Sequence, residues 1–162
     1  MSKGFTLIEL LIVIGILAIL ATTVVLVLNP AQILAESRDT QRMSDLGSVQ
    51  SAVRLLLATA TSTPTFVGTT QCTIAGALNV GLTGPCVTNT SRAIDGSGWV
   101  GIDLRGTSGG SSLSTLPIDP TNSTTYYYAY RGDNANKTYE INGRLESTKL
   151  NVNMAADGGD DS

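Results

Sequence analysis

From Phe5 to Leu28 the chain is apolar at nearly every position, and Glu9 is the only charged residue in that run. At 1.5 Å per residue such a stretch makes a helix about 36 Å long, enough to cross a bilayer. A secretory signal would have a shorter apolar core and a small-residue cleavage site after it. Here Ala18 and Ala21 lie inside the run, so the pattern predicts a membrane anchor. Glu9 is the anomaly: a carboxylate deep in hydrocarbon costs roughly 2.5–3.5 kcal/mol, so it needs a function.

After Asn29-Pro30 the pattern changes. Asn is a good N-cap and Pro fits a first helical position, so a helix restarts or bends there. From Ala31 to about Ala60 apolar residues fall at Ile33, Leu34, Met43, Leu46, Val49, Val53, Leu56 and Leu57, which predicts an amphipathic helix. Asp39 with Arg42, and Arg42 with Asp45, are spaced i,i+3 and are expected to pair along its exposed face. The charged stretch Glu36 to Arg42 reads as a solvated face or subunit contact. Pro64 marks the stop.

The carboxyl half predicts strands. In "GWVGIDL" alternation puts Val100, Ile102 and Leu104 on one face and Trp99 and Asp103 on the other. "TTYYYAY" (Thr124 to Tyr130) and "KTYEING" (Lys137 to Gly143) flank "RGDNAN", read as a hairpin turn, so Arg131-Gly132-Asp133 is a turn tripeptide and not an adhesion motif. Alternation should bury some of Tyr126, Tyr127, Tyr128 and Tyr130 and expose others. Three strands forming an antiparallel sheet with one face on the helix give an α+β head.

Composition narrows the function. The 162 residues leave about 130 outside the apolar run, enough for one modest domain. Histidine is absent, so no imidazole serves as base or metal ligand, and no Ser/His/Asp set, Cys/His set, paired-carboxylate frame or phosphate loop is found. An enzyme is not expected. The net charge of −3 and the scattered ten Lys and Arg argue against an obligatory nucleic-acid partner. With 5% aromatic residues, conduction through stacked rings is not expected either. Cys72 and Cys86 lack the further ligands of a metal site; they are either two thiols or, in an oxidising compartment, a disulfide whose loop of about 15 residues adds about 3 kcal/mol. Asn89, Asn122 and Asn136 begin N-x-Ser/Thr sequons of the kind that arise by chance in so Ser/Thr-rich a chain.

Lys3-Gly4-Phe5-Thr6-Leu7-Ile8-Glu9-Leu10 resembles the prepilin leader of type IV pilins and of the pseudopilins of type II secretion. The resemblance implies residues 1–4 as a leader, 5–28 as a transmembrane and filament-core helix, 29–60 as an amphipathic helix, 61–150 as a β-rich head, and 151–162 as an acidic, Gly-rich tail. It implies cleavage after Gly4 by a membrane-embedded aspartyl peptidase and N-methylation of Phe5. Phe5, Thr6 and Glu9 then form the assembly set, with Glu9 pairing to the terminal amine of a neighbouring subunit. Two buried charges offset their desolvation mainly by meeting, so Glu9 fixes subunit register. In the family the helix can unwind between a glycine and a proline, here Gly15 and Pro30, although the usual helix-bending proline is missing from its earlier position. "LPIDPTNSTTYYYAY", "YEINGRLES" and "AADGGDDS" are similar to the C-terminal half of pilin-like proteins from small-genome bacteria. The "LPxDP" turn is also similar to the calcium-binding loops of major pseudopilins, which makes Asp119, Asp157, Asp160 and Asp161 candidate Ca²⁺ ligands. The implied role is a self-polymerising subunit of a surface filament, held in the inner membrane as precursor and handled by the prepilin peptidase and pilus assembly machinery. A periplasmic pseudopilin is the alternative, and an anchored extracytoplasmic domain a remote one.

Overall fold

The computed structural model describes residues 4–75, 81–82 and 85–152. The chain divides into two compact units, Met1–Ala35 and Glu36–Ser162.

In the first unit, helix α1 (Leu7–Leu28) follows a non-helical Gly4-Phe5-Thr6. It stays helical through Gly15, and every described side chain from Gly4 to Ala31 is exposed. Such an all-round apolar surface demands lipid or other helices around it. Leu7–Val25 is long and apolar enough to cross a membrane. Its hydroxyls are satisfied internally: Thr22 Oγ1 donates to the Ile19 carbonyl and Thr23 Oγ1 to that of Leu20, both at 2.8 Å. The interruption falls at Asn29, whose φ of 38° and ψ of 75° are left-handed. Asn tolerates that region better than most residues. The Asn29 carbonyl then accepts from Gln32 N at 3.0 Å, and helix α2 (Pro30–Thr59) begins with proline, where no N–H is needed.

In the second unit, the part of α2 from Glu36 onward buries Asp39, Arg42, Val49, Ala52, Val53 and Leu56, with Leu46 partly buried among them. These positions recur at three and four, one stripe of a helix. The apolar pattern misplaced parts of this stripe: Met43 and, in the last turn, Leu57 are exposed, and charged residues carry the stripe at Asp39 and Arg42. The stripe packs on Phe66, Trp99, Val100, Ile102, Leu104, Leu116, Tyr128 and Tyr130.

The sheet is mixed and four-stranded, ordered β2-β1-β3-β4, from β1 (Gln71–Cys72), β2 (Val87–Thr88), β3 (Tyr128–Asp133) and β4 (Thr138–Gly143). β1 runs parallel to β2 and antiparallel to β3, where the sequence had suggested an antiparallel sheet only. The β3–β4 hairpin pairs Tyr128 with Gly143 through Asp133 with Thr138. Arg131-Gly132-Asp133 therefore ends a strand, and the turn is Asn134 to Lys137, with Lys137 at a φ of 56°.

"GWVGIDL" is not a strand. Gly98 and Gly101 let its backbone lie flush on neighbours: a Cβ at Gly101 would stand 2.5 Å from Val67 Cβ, and one at Gly98 would strike the Ala93 carbonyl. Trp99 is buried together with Val100, its ring 5.7 Å from that of Tyr128 and its Nε1 donating to the Pro117 carbonyl at 2.9 Å. Alternation does hold along β3, but both faces are covered. Tyr128 and Tyr130 enter the α2 core, while Tyr127 and Ala129 pack with Leu82 and the Cys72–Cys86 disulfide, whose Cα atoms lie 5.8 Å apart.

Candidate functional site: the helix-capped amino terminus and the Arg42 cluster

The segment Gly4-Phe5-Thr6 lies outside the helix, and Phe5 is exposed. Thr6 is the N-cap of α1, with extended backbone angles. Its Oγ1 accepts from Glu9 N at 3.3 Å, while Thr6 N and Thr6 Oγ1 donate to Glu9 Oε2 at 2.9 and 2.7 Å. This reciprocal capping box satisfies donors that a helix start leaves orphaned, and it aims the Glu9 carboxylate back along the chain toward Phe5. Only one Glu9 oxygen takes part in these bonds. Thr6-Leu7-Ile8-Glu9 is itself a capping-box signature, a signal the reading of the sequence passed over.

Residues 1–25 match the prokaryotic N-terminal methylation motif. That motif, with the apolar helix that follows, fits the amino terminus of the type IV pilin and pseudopilin family and covers 25 of the 162 residues. No curated protein and no solved structure matches it. In this pilin-like chain the motif implies processing by a prepilin peptidase and handling by an assembly machinery, and together with the apolar helix it points to a membrane-anchored precursor.

The head holds a second constellation. The charged turn at Glu36 to Arg42, expected to be a solvated face or subunit contact, is buried at Asp39 and Arg42. Arg42 Nε and Nη2 form a fork on Asp119 at 2.7 and 3.1 Å, Nη1 donates to Asp39 at 2.7 Å and Glu146 at 3.4 Å, and Nη2 also reaches Thr121 Oγ1 at 3.0 Å. All five guanidinium N–H groups thus have acceptors. The Tyr126 ring lies 4.9 Å from the guanidinium carbon. Asp45 bonds not Arg42 but the Tyr128 hydroxyl, at 2.9 Å.

Burial pushes the Asp39 carboxyl up, but the backbone N–H groups of Ser147 and Glu146 and the Arg42 guanidinium outweigh it and hold it below the ordinary range. Glu146 is lowered chiefly by its bond from Arg38. Asp45 is raised by burial.

Of the candidate calcium ligands, Asp119 alone is described; Asp157, Asp160 and Asp161 lie outside the described residues. Asp119 is buried, and besides Arg42 its Oδ1 accepts from Thr121 N at 2.8 Å and Asn122 N at 3.0 Å. Among the sequons, the Asn89 amide nitrogen is spent on Gln71, Ser97 and Gly98, whereas Asn136 sits exposed on the hairpin turn.

Proposed function

We propose that this chain is a non-catalytic structural subunit of a type IV pilus-like helical filament on the cell surface. What supports the reading is the methylation motif set on a helix whose described side chains are all bare. In this reading, cleavage between Gly4 and Phe5 creates a terminal amine, which is then methylated. The cut spares the capping box, since every group in it begins at Thr6. Helices leave lipid for a bundle of other helices, a transfer that gains little from apolar contact because lipid is already apolar. Polar pairing therefore decides register, through Glu9 of one subunit and the Phe5 amine of the next. Head-to-tail contacts whose rotation does not close extend this into a filament. The reading needs no cofactor.

The test is the intact mass and amino-terminal peptide of protein sheared from cell surfaces. A chain starting at methylated Phe5 and recovered in long filaments is expected. A chain still carrying Met1 and confined to membranes would overturn the proposal and leave an anchored extracytoplasmic domain. A processed chain found only in short periplasmic assemblies would mean a pseudopilin.

A further inference from the structure

The segment 144–150, which follows β4, is held to the head mainly by polar contacts. Neither apolar cluster includes any of its residues. Its attachments to α2 are polar. Asp39 accepts from Glu146 N at 2.9 and 3.0 Å and from Ser147 N at 2.7 Å. Arg38 forks onto the Glu146 carboxylate, with Nε at 2.8 Å from Oε2. Lys149 Nζ reaches Glu36 at 3.2 Å. Ser147 then closes a turn of its own, accepting from Leu150 N and Asn151 N.

We propose that residues 144–150 form a strap, fastened to α2 chiefly by hydrogen bonds and ion pairs to charged side chains and able to come away while the apolar core stays folded. Asp39 is the fastening point, and Arg42 donates to it at 2.7 Å. The charged and titratable groups around that point are Glu36, Arg38, Arg42 and Asp45 of α2, Asp119 of the turn after Pro117, Glu146 and Lys149 of the strap itself, and Tyr126 and Tyr128 before and within β3. Ion pairs weaken with salt and acid, whereas apolar burial does not weaken in the same way. Local opening at free energies below the global value is the ordinary behaviour of segments with few apolar contacts to the core.

Amide exchange read by mass spectrometry on the full chain in detergent micelles tests this. In Asp39→Asn, peptides covering 144–152 should exchange roughly tenfold faster or more than in wild type, while those covering 128–143 lose distinctly less protection. Added salt should move wild type the same way. Equal loss in both regions would overturn the proposal, since the strap would then belong to the core. A segment 144–152 unprotected in wild type would also overturn it. Should Asp39→Asn fail to fold, Arg38→Gln, at the half-exposed outer pair, offers the same readout: faster exchange in 144–152 with an unchanged core.

Discussion

A methyl group added at Gly4 would meet no atom within 4 Å, whereas one added at Gly101 would collide with Val67. The first glycine is thus not required by the fold, and any need for it must come from outside the chain. Gly4→Ala should leave the helix and head unchanged while the precursor keeps its leader; normal trimming, seen by mass, would sink the leader assignment. Arg42 is the opposite case. Arg42→Met would leave Asp39 and Asp119 buried without their cation, and breaking such a pair costs about 3–5 kcal/mol. The drop should be visible as a lower thermal midpoint in the near-ultraviolet signal of Trp99 and the buried tyrosines.

The same residues set the response to acid. Asp39 and Glu146 have folded-state values below the ordinary carboxylate range, so their stabilisation is present above about pH 4 and lost as pH falls through those lowered values. Asp45, raised by burial, works in the opposite sense. Head stability should decline as pH drops from 4 toward 2, and in Asp39→Asn the decline should be shallower. A slope unchanged by that substitution would remove Asp39 from the account.

Among elements, legibility followed the range of the contacts. The apolar helix and the β4 strand announce themselves in adjacent residues, because period and turn chemistry are local. What reading missed depends on distant partners. Nothing near Arg42 in sequence reveals Asp119 or Glu146, so a buried ionic stripe passed for a solvated one. "GWVGIDL" has strand periodicity, but its two glycines allow a close approach that turns it into a buried irregular segment. Strands β1 and β2 are too short to signal at all, and they are tied together beside the Cys72–Cys86 bridge. Cys72→Ser should therefore cost the head about 3 kcal/mol without affecting cleavage at the other end of the chain. An unchanged melting curve would show that the bridge contributes nothing.

For the molecule as a whole, two chemistries are kept apart along the chain. The amino-terminal unit carries Lys3 at its start and one carboxylate, Glu9, on an otherwise apolar rod, and the carboxyl-terminal unit carries the remaining charge and the disulfide. In the proposed filament, Glu9→Val would remove that lone carboxylate and with it the partner for a neighbour's amine. It should leave processing intact and sharply reduce filament yield, counted by electron microscopy of sheared material. Wild-type yield would refute the register role. The motif at 1–25 is legible because it is contiguous in sequence, whereas the head is defined by contacts between residues far apart in the chain, such as Arg42 with Asp119 and Glu146.

The β3–β4 turn offers a practical handle. Both cysteines of the chain are consumed in the bridge, so the native protein presents no thiol. Ala135, at the exposed crest of the turn, uses only its backbone N–H, which donates to Asp133 at 2.8 Å. Ala135→Cys would thus give every subunit a single reactive sulfur. A maleimide dye should then draw any surface filament as a continuous line on living cells, and its growth or withdrawal could be timed directly under the microscope.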